Sequence, residues 1–322
     1  MRSYTDILLA FLILSLIMSC TKDIDLPFPE VPSEIVVDGS IETGQPPIIF
    51  LTRTQSFNQP LDPSSLQGLF VNDAIVKVSN GQDTVQLKEF CASDLSAEDL
   101  ALAAELLGIS EQDLQAINYC VYTDTTFTML GQEGTPYILD IVTLEGKTLH
   151  AETKIPVAVP LDSLWFEFWA NSDSLGFIYA ELSDPLNERN AYRWWAQRTN
   201  SYPGTNVQKD QDYVAPLGSV FEDTFFDGLS FEFFYNRGTV VNSNMEDDNN
   251  EEAGFFKLND VVSVKFATTT LEVEDYIATS DDQLVNNGSP FAVPANLPSN
   301  VEGGRGLWAG YAPLFYEVIC VP

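Results

Sequence analysis

Residues 73–90 read DAIVKVSNGQDTVQLKEF, and this stretch decides the fold class. Apolar and polar residues alternate on both sides of Ser79-Asn80-Gly81-Gln82. A period of two places successive side chains on opposite faces of a strand, and β-branched residues fit a half-buried pleated surface. Asn-Gly supplies the positive backbone angles of a tight turn. The stretch therefore predicts a β-hairpin with one face turned to a core.

The same grammar extends outward. SEIVVDGSI (33–41), PPIIFLTRT (46–54), CVYTDTTFTM (120–129), TPYILDIVTLEG (135–146) and TLHAETKIPV (148–157) are short β-branched and aromatic runs. Asp38-Gly39, Asn80-Gly81 and Glu145-Gly146 are read as the turns between them. Several short strands over residues 33–157 predict a sandwich of immunoglobulin-like type. One insert, residues 92–119, breaks the pattern. In it SAEDLALAAELLGISEQDL (96–114) is rich in helix formers, and Ser96/Asp99 and Ser110/Asp113 stand at capping spacing. The expectation is a small helical hairpin between two strands.

From residue 158 to 322 the chain becomes more aromatic. LWFEFWA (164–170), LGFIYAELSD (175–184), AYRWWAQRT (191–199) and KLNDVVSVKFATTT (257–270) read as strands of a second, sandwich- or barrel-like β domain. VFEDTFFDGLSFEFFY (220–235) reads as a hairpin with one aromatic, core-facing side. One longer helix follows, with Thr269 as N-cap, Glu272 three residues on, and Val273, Tyr276, Ile277 and Leu284 on one face up to Gly288.

The chain opens with an apolar run from Ile7 to Met18, broken only by Ser15. That run is shorter than the roughly 20 residues a hydrocarbon core requires and reads as the central region of a secretory signal. Ile17-Met18-Ser19-Cys20 resembles a bacterial lipobox. The resemblance implies a signal peptide over 1–19, lipid attachment at Cys20 and a tether over 20–32. Lys22, Asp23 and Asp25 after the cysteine resemble the surface-export signals of Bacteroidota lipoproteins. The expected location is the outer membrane, lipid-anchored at the cell surface.

The formal net charge is −32, and it stays there when residues 1–19 are removed, because Arg2 and Asp6 cancel. A field of that sign repels phosphates, which argues against nucleic acid as a partner. Twenty-one Phe among 12% aromatic residues supply enough apolar surface for real cores. With Cys20 lipidated, Cys91 and Cys120 bracket the helical insert and form the expected disulfide of an exported protein. Cys320 is left as a buried free thiol.

Two stretches, EIVVDGSIETGQPPIIFLTRT (34–54) and LNDVVSVKFATTTLEVEDYI (258–277) with NNGSPFAVPANLPSNVEGGRGLWAGY (286–311), resemble a Bacteroidota lipoprotein family designated domain of unknown function 4249. That resemblance implies an outer-membrane lipoprotein of a family whose genes often lie beside those for TonB-dependent receptors, and it supplies no catalytic residues.

Little here carries chemistry. His150, the one histidine, lies among charged neighbours on a strand and reads as solvent-facing, which leaves a Ser-His-Asp triad without its base. Gly304-x-Gly306 lacks the βαβ setting of a dinucleotide loop and reads as close backbone turns that place Trp308 and Tyr311. No cofactor and no structural metal are expected. Glu246, Asp247, Asp248 and Glu251 are weak calcium candidates without the spacing of an EF-hand loop. Trp194 and Trp195 are adjacent, so a strand points them to opposite faces, and Trp194, Trp195, Trp308 and Tyr311 are the candidate ligand- or partner-binding residues. The function expected is a non-catalytic accessory of a TonB-dependent receptor or other outer-membrane complex. Capture of a glycan or peptide is the alternative reading, and a carboxylate-based hydrolase stands behind both.

Overall fold

The computed structural model describes residues 32–55, 69–98, 100–101, 111, 114–115, 120–238, 254–286 and 296–322. Cys20, residues 1–19, most of the tether and the four calcium candidates lie outside the described residues. The first half supplies β1 (Ile35–Glu42), β2 (Ile48–Arg53), β3 (Ile75–Ser79), β4 (Thr84–Gln86), β5 (Lys88–Cys91), β6 (Cys120–Thr123), β7 (Pro136–Val142) and β8 (Thr148–Lys154). The second supplies β9 (Leu161–Phe168), β10 (Leu175–Ser183), β11 (Ala191–Arg198), β12 (Val220–Glu222), β13 (Ser230–Tyr235), β14 (Phe256–Lys257) and β15 (Val261–Thr269). Helix α1 (Leu271–Asn286), β16 (Val301–Glu302) and β17 (Arg305–Ile319) complete it.

The protein is mainly β; its described residues form three sheets without barrel closure. An eight-stranded sheet runs β12-β11-β15-β17-β1-β2-β6-β5, a five-stranded sheet runs β16-β8-β7-β3-β4, and a third runs β13-β10-β14 with β9 on β10. One face of the large sheet carries both smaller ones. Ile35, Val37, Ile41, Ile49 and Leu51 meet Val76, Val78, Leu139 and Ile141 of the five-stranded sheet in one core. Tyr192, Trp194, Val262, Val264 and Phe266 meet Phe166, Ile178 and Leu182 of the third sheet in the other. The two cores follow the two halves of the chain, but the sheet does not divide at residues 157/158. The long strand β17 lies between β15 and β1, antiparallel to the first and parallel to the second.

The predicted hairpin forms over 75–87, where Lys77 pairs with Gln86 and Ser79 with Thr84 and Gly81 takes φ +84° in the turn. Residues 88–90 leave it, because β5 pairs with β6 in the eight-stranded sheet. Asp38-Gly39 is not a turn. It lies mid-strand in β1, where Gly39 faces Trp308 across the β1–β17 pair. The 220–235 hairpin is also corrected, because β12 pairs with β11 and β13 with β10 in a different sheet. Its aromatic side is nonetheless core, with Phe221, Phe226, Phe231, Phe233 and Tyr235 packed on the second cluster.

Cys91 and Cys120 pair directly across β5 and β6 and are joined by a disulfide. Within the insert the described residues 97–98, 100–101, 111 and 114–115 are helical, with Leu100 and Leu114 buried beside Ala92. Helix α1 begins one residue later than predicted, since Val273 and Glu274 donate to the Thr270 carbonyl. The Thr269 hydroxyl instead donates to the Gly310 carbonyl, 2.8 Å away. Val273 and Ile277 bury against the large sheet, whereas Leu284 stays exposed.

Candidate functional site

The free face of the large sheet, opposite the two cores, is only partly covered by α1. Val273 and Ile277 pack with Ala267, Leu307, Ala309 and Tyr311. Beside them the sheet is left open as a hollow of about 700 Å³, floored by β1, β2, β11, β15 and β17 and walled by Tyr276, Ile277, Ser280 and Asp281 of α1. Strand alternation fills it with polar groups. Ile35, Val37 and Ile41 of β1 point to the core, so Asp38, Ser40 and Glu42 point into the hollow.

Its charges are of both signs. Lys265 Nζ lies 2.6 Å from Glu42 Oε1. Arg193 Nη1 donates to the Tyr311 hydroxyl at 3.0 Å, while Arg193 Nε is buried with no acceptor among the described residues. Both cations approach the ring of Trp195, Arg193 at 4.6 Å and Lys265 at 4.9 Å from its centroid. Tyr311 meets the same ring edge-on at 5.5 Å. Asp38 keeps solvent contact within the hollow, but protein surrounds it. Burial raises its carboxyl above the ordinary carboxylate range, and the Arg193 charge partly opposes that shift. Burial also raises the Tyr311 phenol, again against the pull of Arg193. The arrangement offers a preformed platform with spare donors on Arg193 and spare acceptors on Asp38. A ligand that both donates and accepts hydrogen bonds would satisfy both.

The four aromatic candidates separate cleanly. Trp195 and Tyr311 line the hollow. Trp194 and Trp308 are fully buried and are corrected to core residues. Trp194 packs against Phe233 and Tyr235, and the indole of Trp308 donates to the Tyr137 carbonyl at 3.1 Å. Gly306 is corrected from a turn to a close approach within β17: with φ +108°, a Cβ there would stand 1.9 Å from the Val37 carbonyl oxygen. His150 is a half-exposed strand residue whose Nδ1 lies 2.8 Å from Asp140 Oδ1, and that hydrogen bond raises its pKa. Cys320 is free and buried, and burial pushes its thiol up to about 12.

Composition and spacing did not single out Asp38, Glu42, Arg193 or Lys265. The only available signal was the run of polar residues at alternate positions of β1, which also describes an ordinary solvated face. Three further carboxylates, Asp184, Asp223 and Asp227, come within 4.8 Å of one another. Their oxygens accept from Tyr192, Gly228 N, Asn190 N, Arg189 and Asn187 N, so the cluster ties two loops together.

The fold and the hollow define a multi-sheet β-sandwich protein with a polar recess on its open sheet face. The chain belongs to the family described as Domain of unknown function (DUF4249), whose pattern matches residues 21–314. No curated protein matches it. Among solved structures it is similar to a cycloalternan-degrading enzyme from Trueperella pyogenes in complex with cycloalternan, at 10% identity and a TM-score of 0.25. The match covers 79% of this chain but 36% of that one, so the chain spans about a third of the length of that neighbour. A likeness of that size carries no argument about function.

Proposed function

We propose that this protein is a non-catalytic binding protein, moored to the outer membrane through lipid on Cys20. In this reading it serves at the cell surface as an accessory subunit of a TonB-dependent receptor or another outer-membrane complex. The observation that carries the binding role is the hollow beside α1. Rigid strands preform it, it mixes aromatic with charged groups, and it leaves Arg193 Nε without a partner. Concave, preformed sites with a few convergent polar groups are the usual form of a binding site. The lipobox-like Ile17-Met18-Ser19-Cys20 supports the anchor. The need for a ligand that donates to Asp38 and accepts from Arg193 favours an extended peptide or a glycan over an apolar molecule.

The test is affinity capture of the tagged full-length protein from gently solubilised membranes, beside an Arg193→Ala variant. The expected result is a co-purified outer-membrane protein with the native chain and at least tenfold less with the variant. Recovery of the native chain alone would overturn the reading.

A further inference from the structure

The outward face of the third sheet carries an unbroken run of aromatic rings that belong to neither core of the described residues. Register places Trp165, Tyr179 and Phe234 in one row across β9, β10 and β13. Their ring centroids are 5.8 Å and 5.0 Å apart. The run continues through Phe177 and Phe255 to Trp169, at spacings of 5.1–5.2 Å. Phe234 is 52% and Trp169 44% exposed. Alternation explains the exposure, since Phe166, Ile178, Ala180 and Leu182 occupy the core face of the same strands.

Carboxylates border the rings. Glu181 lies directly opposite Glu232, one row from Tyr179 and Phe234, and Glu167 lies opposite Phe177 on the other side. Like charges directly opposite on a sheet are unfavourable, and no salt bridge among the described residues reaches any of the three. Among the described residues Glu167 accepts only from the Trp165 indole and Glu181 only from Ser163. A neutral ligand would leave the Glu181–Glu232 repulsion standing. A second copy of this chain, at net −32, would add to it. A cation relieves it and gains attraction from the ring faces as well.

We infer that this face docks a basic, arginine-bearing segment of a partner protein, with guanidinium groups stacked on the Trp165–Tyr179–Phe234 row and paired to Glu181 and Glu232. Aromatic residues and arginine are the side chains protein interfaces favour. This inference is independent of the hollow.

The test is the affinity of a labelled hexa-arginine peptide for the full-length protein in detergent micelles at physiological salt, with maltohexaose as the uncharged comparison. Phe234→Ser and the double variant E181Q/E232Q should each weaken peptide binding at least tenfold. E98Q/E111Q, which removes two carboxylates from the insert, should change it less than twofold. The E181Q/E232Q variant deletes no buried side chain, so it keeps the test valid should Phe234→Ser lower stability. Equal loss with E98Q/E111Q, or no loss with either face variant, would overturn the inference. So would maltohexaose binding that Phe234→Ser abolishes while peptide binding is unchanged.

Discussion

Gly39 lies directly opposite Trp308 across the parallel β1–β17 pair, and a Cβ at position 39 would stand 2.9 Å from Cε3 of the indole. The missing side chain is what allows the last strand of the fold to insert its tryptophan into the core of the first half. Asn300 fixes the same residue from outside, accepting from the Trp308 amide at 2.9 Å and donating to its carbonyl at 2.8 Å. Gly39→Val should therefore destabilise by about 1–3 kcal/mol through overpacking. Trp308→Ala should cost about 3–5 kcal/mol through the cavity it leaves. Denaturant unfolding of each variant checks both values, and a Gly39→Val chain as stable as the native one would remove this account of the junction.

The second core closes on a buried ion pair. The Arg198 guanidinium is fully buried and donates from Nε and Nη2 to the two oxygens of Asp210 at 2.9 and 2.8 Å. Asp210 also accepts from the Arg198 amide. Removing one partner leaves an uncompensated buried charge, which costs about 3–5 kcal/mol. Asp210→Ala should lower stability by that amount in urea unfolding, far more than Glu145→Ala, which breaks only the exposed pair with Arg53.

Asp124 carries a pH signature. Burial by itself would raise its carboxyl, but the Thr126 hydroxyl, with the Met129 and Thr126 amides and the Thr128 hydroxyl, holds it at about 2. The folded value lies below the unfolded one, so its stabilisation is complete above about pH 4 and is lost as the pH falls through about 2. Asp124→Asn should cost about 2 kcal/mol near neutrality. The gap between native and variant stability should narrow between pH 4 and pH 2, and a gap that stayed constant would contradict the assignment.

The Cys91–Cys120 disulfide closes a loop of sequence separation 29. In the chain-entropy picture it contributes roughly 3–4 kcal/mol. The C91A/C120A pair should lower the unfolding free energy by about that much, while Cys320→Ala leaves the oxidised protein free of mixed disulfides. Thiol titration of the unfolded native chain should give one reactive cysteine from the described region; three would mean that the pair is not bonded.

What the sequence made legible was local. Alternation identified the hairpin within 73–90, though not the departure of 88–90 to another sheet, and assigned opposite faces to Trp194 and Trp195, because a strand's side-chain period is fixed by its own backbone. Asp38-Gly39 satisfies turn chemistry locally, while its true constraint, Trp308, lies far along the chain. The break between β12 and β13 was hidden for the same reason: both halves of VFEDTFFDGLSFEFFY alternate well, and pairing with different sheets leaves no local mark. The hollow was beyond reach because Asp38, Arg193, Lys265 and Tyr311 become neighbours only through the β1–β17–β15–β11 order.

The hollow beside α1 is the proposed seat of the ligand or partner. The most direct measurement places a photo-activated cross-linking residue at position 280, on the α1 wall of the hollow, in the full-length protein in intact cells, with position 127 as the exposed control outside it. The account predicts a discrete adduct from 280, resolved by mass spectrometry, that is absent from 127. No adduct at 280, or the same adducts from both positions, would contradict it.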